Sequence, residues 1–205
     1  MSKQVYDFAI KKMPKQGRSR ATFNAVVEAC ARLLAQSGYQ NLTTNHVAQA
    51  AGVGIASLYE YFPNKDAIVA QVAERLVQRV MAELSQAVPE VMEQPPQQAM
   101  IFWIKTIYAV LSNEVELVRV FHYEVPYTNR LPAVQTILPK LMSFSKHMQQ
   151  QSGDQAIEQL DTVTGYLIVN LVSSTIIQML LNPPVDVSQD QFLVGMANRI
   201  EQWLV

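Results

Sequence analysis

The sequence predicts an all-α protein, and three observations predict it. Apolar residues recur at the helical period almost throughout, no stretch alternates convincingly with a period of two, and Gly and Pro fall where helices would end. The 205 residues are 49% apolar and 16% charged, which excludes a disordered chain, and one Cys excludes a disulfide scaffold. A chain of this length buries roughly 70% of its extended surface on folding, so it needs neither metal nor cross-link to hold a core. It contains no internal repeat and no low-complexity tract.

Each element follows from its own pattern. The first helix carries Phe23, Val26, Val27, Cys30, Leu33 and Leu34 on one face, has Ser19 where an N-cap belongs, and stops at Gly38, which suits a left-handed cap. A second, short helix follows Leu42-Thr43-Thr44, where either Thr can accept from the free N–H groups of the first turn, and it turns Val47, Ala48 and Ala51 inward until Gly52. The third is expected over 55–62, ended by Pro63, and Asn64 then caps a long fourth helix with the ladder Ile68, Val72, Leu76, Val80 and Leu84, closed near Pro89. Pro95-Pro96 mark a joint before a helix built on Met100, Ile104, Ile107, Tyr108 and Leu111. Another helix around 115–123 ends before Pro126, and the segment from Pro132 keeps Val134, Ile137, Leu138, Leu141 and Met148 in phase while Pro139 must kink or divide it. Gly153 is the expected terminator. From Asp154 a charge-poor helix runs to about Leu181, Pro183-Pro184 break it, and Ser188 with Gln191 forms a capping box for a last helix bearing Phe192, Met196, Ile200 and Trp203.

A formal net charge of −1 hides an asymmetry. Up to Asp66 the chain carries eight cations against four anions, a net +4, and the remainder carries −5. The basic end is where a polyanion would be met, although Lys11 to Arg20 by charge alone equally suits a solvated tail. The first residues lack the apolar stretch of a secretory signal, so a cytoplasmic protein is expected, with Cys30 a reduced core thiol. Thr162 to Val185 contains no charge and approaches the length of a membrane span. Asn170, Ser174 and Gln178 recur every four residues along it and the nearest cations, Lys146 and Arg199, are distant, which favours a buried or subunit-facing helix and no membrane partner.

The informative segment runs from Thr43 to Phe62. Two short helices are separated by a turn too tight for anything but a steep crossing, with Gly52 supplying positive φ and Val53 plugging the space between them. Small Ala48, Ala50 and Ala51 let the helices approach. Leu58 and Phe62 anchor the second helix inward and should turn Ile55, Ser57, Tyr59 and Tyr61 outward, as a helix meant for a B-DNA major groove requires.

Here the chain resembles the TetR family of transcription regulators. The resemblance rests on Leu33-Leu34-Ala35-Gln36-Ser37-Gly38-Tyr39, Leu42-Thr43-Thr44, Val47-Ala48, Ala51-Gly52-Val53, Leu58-Tyr59-Glu60-Tyr61-Phe62 and Asn64-Lys65-Asp66, continuous in spacing over about residues 18–70. It implies a DNA-binding head over 1–66 with a basic N-terminal arm, and a helical body over 67–205 that binds a small molecule and forms a homodimer. The implied partner is double-stranded operator DNA. Thr43 and Thr44 would offer hydroxyl and N–H groups to a phosphate at a helix start, Tyr59, Tyr61 and Lys65 match positions that clamp the DNA backbone, and base reading would fall to Gly54, Ile55, Ala56 and Ser57 with Asn45 as a helper. The sequence departs from the family at Gly54, where a Ser often caps, and at apolar Ile55, so methyl contacts, backbone and DNA shape should carry more of the readout.

In the body, Phe102, Trp103, Tyr108, Phe121, His122, Tyr123, Tyr127, Phe144 and Met148 are the candidate walls of a pocket for an apolar or aromatic ligand. His46, His122 and His147 stand at no metal-ligand spacing, no Gly-rich phosphate loop or nucleophile elbow occurs, and no catalytic residue, metal or cofactor is expected. The rival reading is a helical DNA-associated or partner-binding protein without a small-molecule inducer. The charge-free helix and the last helix, apolar on more than one face, should pair across a two-fold axis, with Asn170, Ser174 and Gln178 setting register.

Overall fold

A computed structural model describes residues 6–152 and 162–204, and among them there are helices and no strand. In order these are α1 (Gly17–Ser37), α2 (Thr44–Ala50), α3 (Ile55–Tyr59), α4 (Lys65–Met92), α5 (Pro96–Ser112), α6 (Val115–Tyr123), a 3-10 turn (Thr128–Arg130), α7 (Pro132–Gln135), α8 (Ile137–Ser152), α9 (Thr162–Leu181) and α10 (Gln189–Leu204). The expected terminator Gly153 and the expected start at Asp154 lie outside the described residues.

The caps explain most boundaries. Gly38 and Gly52 take positive φ values of 74° and 66°, which glycine enters without a Cβ penalty; at Gly38 ψ is 173°, so the expected left-handed cap is instead an extended positive-φ residue, its N–H donating to the Leu34 carbonyl at 3.0 Å. Thr43, rather than Thr44, is the N-cap of α2, accepting from the His46 N–H at 3.2 Å. Asn64 caps α4 through the Ala67 N–H at 2.8 Å, and Ser188 and Gln191 close the expected box on α10 with reciprocal bonds of 3.3 and 3.1 Å.

Four expectations need correction. Gln16 is the N-cap of α1 and Ser19 stands three residues inside, its hydroxyl accepting from the Gln16 N–H. The third helix stops at Tyr59, three residues short of Phe62. Pro89 does not close α4, which runs on to Met92; the ring removes the N–H that would bond the Ser85 carbonyl, and both residues are exposed, which lowers the cost of that loss. The division in the 132–152 segment falls at Thr136, ahead of Pro139, which sits in the first turn of α8 where its missing N–H costs nothing.

The chain folds as two compact units, and the division is not the one expected at residue 66. The first unit takes the chain up to Val77 together with Glu116–Gln135; the second takes Gln78–Val115 and the chain from Thr136. The first core is built from Phe23, Val26, Cys30 and Leu34 of α1, Val47 of α2, Leu58 of α3, Phe62 and Ile68, joined by Leu117, Phe121, Tyr127 and Leu131 from the inserted segment. The second core joins α5, α9 and α10 through Ile104, Val172, Ile176, Met179, Leu193, Met196 and Ile200, with Met100, Ile107, Tyr108 and Leu111 packed against it as their spacing predicts.

α9 is long and apolar enough to cross a membrane by length and composition. Val172, Ile176 and Met179 are buried in the second core, while Val163, Tyr166, Leu167 and Leu171 are 40–67% exposed.

Candidate nucleic-acid interface

The helix-turn-helix is set by which of its residues the first core claims. Val47, Ala48, Leu58 and Phe62 are buried, and Val53 packs against them from the turn, so α2 and α3 are pinned by their inner faces. Burying a side chain such as Leu58 or Phe62 contributes about 1.5–3 kcal/mol each. Left outside are Thr43, Asn45, Gly54, Ile55, Ala56 and Tyr59, with Thr44 and Ser57 half-buried. The Thr44 and Tyr59 hydroxyls meet at 2.9 Å, which ties the first turn of α2 to the last of α3 and brings together two residues fifteen apart in the chain. His46, weighed in the sequence only as a metal ligand, is exposed beside Asn45 in the first turn of α2.

Two residues are not where the sequence put them. Tyr61 does not point outward: it is 6% exposed, its ring edge-on to Phe23 at 5.9 Å. The helical period cannot be projected onto it because α3 has already ended at Tyr59 and the chain turns back into the core. Lys65 is half-buried; its ammonium donates to the Tyr39 and Leu42 carbonyls, both at 3.3 Å, and lies 4.0 Å from the centre of the Tyr39 ring. In this state it fastens the α1–α2 connection to the start of α4.

Beside Lys65 lies a polar hub. The Asp66 carboxylate accepts from the Tyr39 hydroxyl at 2.8 Å and from the Tyr127 hydroxyl at 2.6 Å, and Glu124 accepts from the Tyr39 N–H at 2.8 Å. Burial, and then the hydrogen bond to Asp66, push the Tyr127 phenol far up; burial likewise pushes Tyr39 up to about 12. Both phenols are therefore neutral donors at physiological pH.

The nine candidate ligand residues do not form one group. Phe121 and Tyr127 are buried in the first core. His122 and Tyr123 are exposed at the end of α6, their rings edge-on at 4.6 Å. In the second unit Trp103 meets Phe144 at 5.1 Å and Phe102 at 5.9 Å, both edge-on, and Tyr108 lines a cleft of about 360 Å³ with Lys105, Ala109, Ser112, Gln189, Asp190 and Leu193. The Met148 side chain lies outside the described residues. Nearness in sequence across 102–148 misled because Glu116–Gln135 belongs to the first unit. Among the described residues no three His, Cys, Asp or Glu side chains gather into a metal site. Cys30 is fully buried, and burial pushes its thiol up to about 12, so no nucleophile is offered there.

The contacts near the candidate site that the sequence did not show are those of the N-terminal arm. Lys11 and Lys12 reach the end of α3, at Tyr59 and Glu60, 48 residues away in the chain. Their charge was visible; their partners were not.

A tight two-helix corner with one face buried and the other bare, carried on a third helix, defines a helix-turn-helix, the architecture of many DNA-binding heads. Residues 26–72 match the family described as bacterial regulatory proteins, tetR family, so the head is a TetR-family N-terminal domain, and the whole chain has the all-helical fold of TetR-family transcriptional regulators. No curated protein matches the sequence. Among solved structures the chain is similar to the fatty acid degradation regulator FadR from Bacillus halodurans, with a TM-score of 0.67 at 15% identity over 93% of this chain and 96% of that one. It is also similar to FadR from Bacillus subtilis in complex with stearoyl-CoA, with a TM-score of 0.64 at 17% identity over 89% and 97%. The TetR family repressor AlkX from a Dietzia strain, implicated in biodegradation of n-alkanes, gives 0.56 at 20% identity over 88% and 96%.

Proposed function

We propose that the chain is a ligand-responsive repressor that binds a roughly palindromic operator as a homodimer and is released by an apolar or aromatic small molecule. The observation that carries this reading is the bare face of α2 and α3, where the paired hydroxyls of Thr44 and Tyr59 stand beside exposed Thr43, Asn45, Ile55 and Ala56. Thr44 and Tyr59 supply phosphate contacts, and Ile55 and Ala56 supply methyl contacts to thymine. Gly54 supports the same reading. Its φ of −66° is open to any residue and a Cβ there would meet open space, so nothing inside the head requires glycine, whereas a duplex backbone approaching closely would. Lys65 holds the α1–α2 connection, just ahead of Thr43, through the Tyr39 and Leu42 carbonyls.

Assembly is supported by the exposed stripe Val163, Tyr166, Leu167 and Leu171 on α9, four large apolar side chains left bare where a second copy could cover them. Paired heads would meet successive major grooves at a spacing of ~34–36 Å. The ligand reading rests on the aromatic group of Phe102, Trp103 and Phe144 in the second unit, edge-on rings that suit an apolar or aromatic guest. The similar structures support an apolar ligand: one is in complex with stearoyl-CoA and another is implicated in biodegradation of n-alkanes. Ligand binding need only favour one of two conformations to shift operator occupancy.

Fluorescence anisotropy against a duplex covering the region upstream of the protein's own coding sequence, and against a random duplex, tests the reading across a salt series. Specific binding should exceed random by more than about 10³-fold and fall steeply with salt. Equal affinity for both duplexes would remove the proposal. A thermal-shift screen with long-chain acyl-CoAs, alkanes and aromatic compounds, read with and without the duplex, separates the ligand-responsive regulator from a helical DNA-associated protein without an inducer.

A further inference from the structure

The arm that precedes α1 is expected from its charge to be either a solvated tail or a direct DNA contact, and the structure gives it a different set of partners. Tyr6 and Phe8 lie against the Tyr127 ring at 4.5 and 5.0 Å, and the Asp7 carbonyl accepts from the Asn64 side-chain amide at 3.1 Å. The chain then crosses to the exit of α3. The Lys11 N–H donates to the Tyr61 carbonyl at 2.8 Å, the Lys11 ammonium donates to the Tyr59 carbonyl at 2.8 Å, and the Lys12 ammonium pairs with Glu60 at 2.8 Å.

These bonds answer a need written into the sequence. Tyr59 is the last residue of α3, and the N–H that a continuing helix would offer its carbonyl belongs to position 63, which is Pro63 and has none. The Lys11 ammonium supplies that missing donor, and its charge sits at the negative end of the helix. A five-residue helix has little internal hydrogen bonding to hold it, so an external cap acts on a large share of its structure.

We infer that residues 6–12 form a strap, anchored on Tyr127, by which Lys11 caps the C-terminal end of the candidate recognition helix and positions Tyr59 for DNA. Lys11 is a positioning residue; it acts through α3 and not on a phosphate. This rests on the DNA-binding reading above, but the strap itself has a readout that needs no DNA.

Three variants of the full chain are compared with the parent: Lys11→Ala, Lys11→Arg, and the charge-neutral double variant Tyr6→Ser with Phe8→Ser, which frees the anchor. The probes are anisotropy on the upstream duplex across a salt series and amide hydrogen exchange over residues 55–62. Lys11→Ala is expected to weaken binding about fivefold at every salt concentration, as loss of one exposed charged hydrogen bond implies, with the slope of log K against log salt unchanged. Exchange at Leu58, Tyr61 and Phe62 should accelerate in Lys11→Ala and in the double variant, and Lys11→Arg should restore both readouts. A slope reduced by about one with exchange unaltered would show Lys11 on a phosphate and overturn the proposal. Unchanged affinity and exchange in Lys11→Ala would overturn it as well. A parent that binds no duplex, with amides 58–62 still loosened in Lys11→Ala, rejects the DNA-binding reading and keeps the strap.

Discussion

At the scale of single residues, the hub around Asp66 is where a small change has a large and specific effect. Tyr127→Phe removes one of two phenol donors from the carboxylate and should cost about 1–2 kcal/mol of stability, read as a lower urea midpoint at unchanged m-value. The raised phenols also set a pH dependence. Tyr39 titrates at 10.0 when free and at about 12 in the fold, so the folded state holds the proton more tightly. Its contribution is fully present below pH 10 and is lost as the pH climbs from about 10 to 12. Urea midpoints followed across that window should fall steeply in the parent and less steeply in Tyr39→Phe. Gly38 is a second such point. An alanine there keeps φ at 74°, where a side chain is strained, and its Cβ displaces the Glu124 carboxylate that accepts from the Tyr39 N–H, so Gly38→Ala should destabilise by about 1–3 kcal/mol, read as a lower urea midpoint. A midpoint equal to the parent's would contradict the strain.

At the scale of elements, α1 and α3 show opposite kinds of legibility. The apolar face of α1 was plain in the sequence because 21 residues repeat the helical period six times, and each of Phe23, Val26, Val27, Cys30 and Leu34 is buried as that period requires. Cys30, at the centre of this helix, should therefore resist thiol reagents in the native state and react only at the rate of unfolding; prompt labelling in buffer would contradict its burial. α3 is only five residues long, so extrapolating its period by two positions placed Tyr61 on the wrong side. The proposed DNA contact engages its link to α2: Tyr59→Phe, which keeps the ring and loses the hydroxyl bonded to Thr44, should weaken duplex binding by about 1 kcal/mol while leaving the melting temperature nearly unchanged.

At the scale of the whole molecule, the exposed stripe on α9 is the feature on which the proposed assembly rests. Leu167→Asp on that stripe should move the mass in light scattering from a multiple of the 23.0 kDa chain toward the chain mass, with helicity retained. A parent that is already monomeric at micromolar concentration would refute the assembly proposed for α9. The sequence by itself determined the helical class, the helix-turn-helix and most caps, because those depend on residues within one or two turns of each other: Gly38, Gly52, Asn64 and the Ser188–Gln191 box act locally. Only the tertiary structure decided that Glu116–Gln135 packs with the head, that Phe121 and Tyr127 are buried in the first core, and that Lys11 lies on Tyr59. Those facts depend on contacts between residues tens of positions apart, and no periodicity or local propensity records which distant surface a buried face will find.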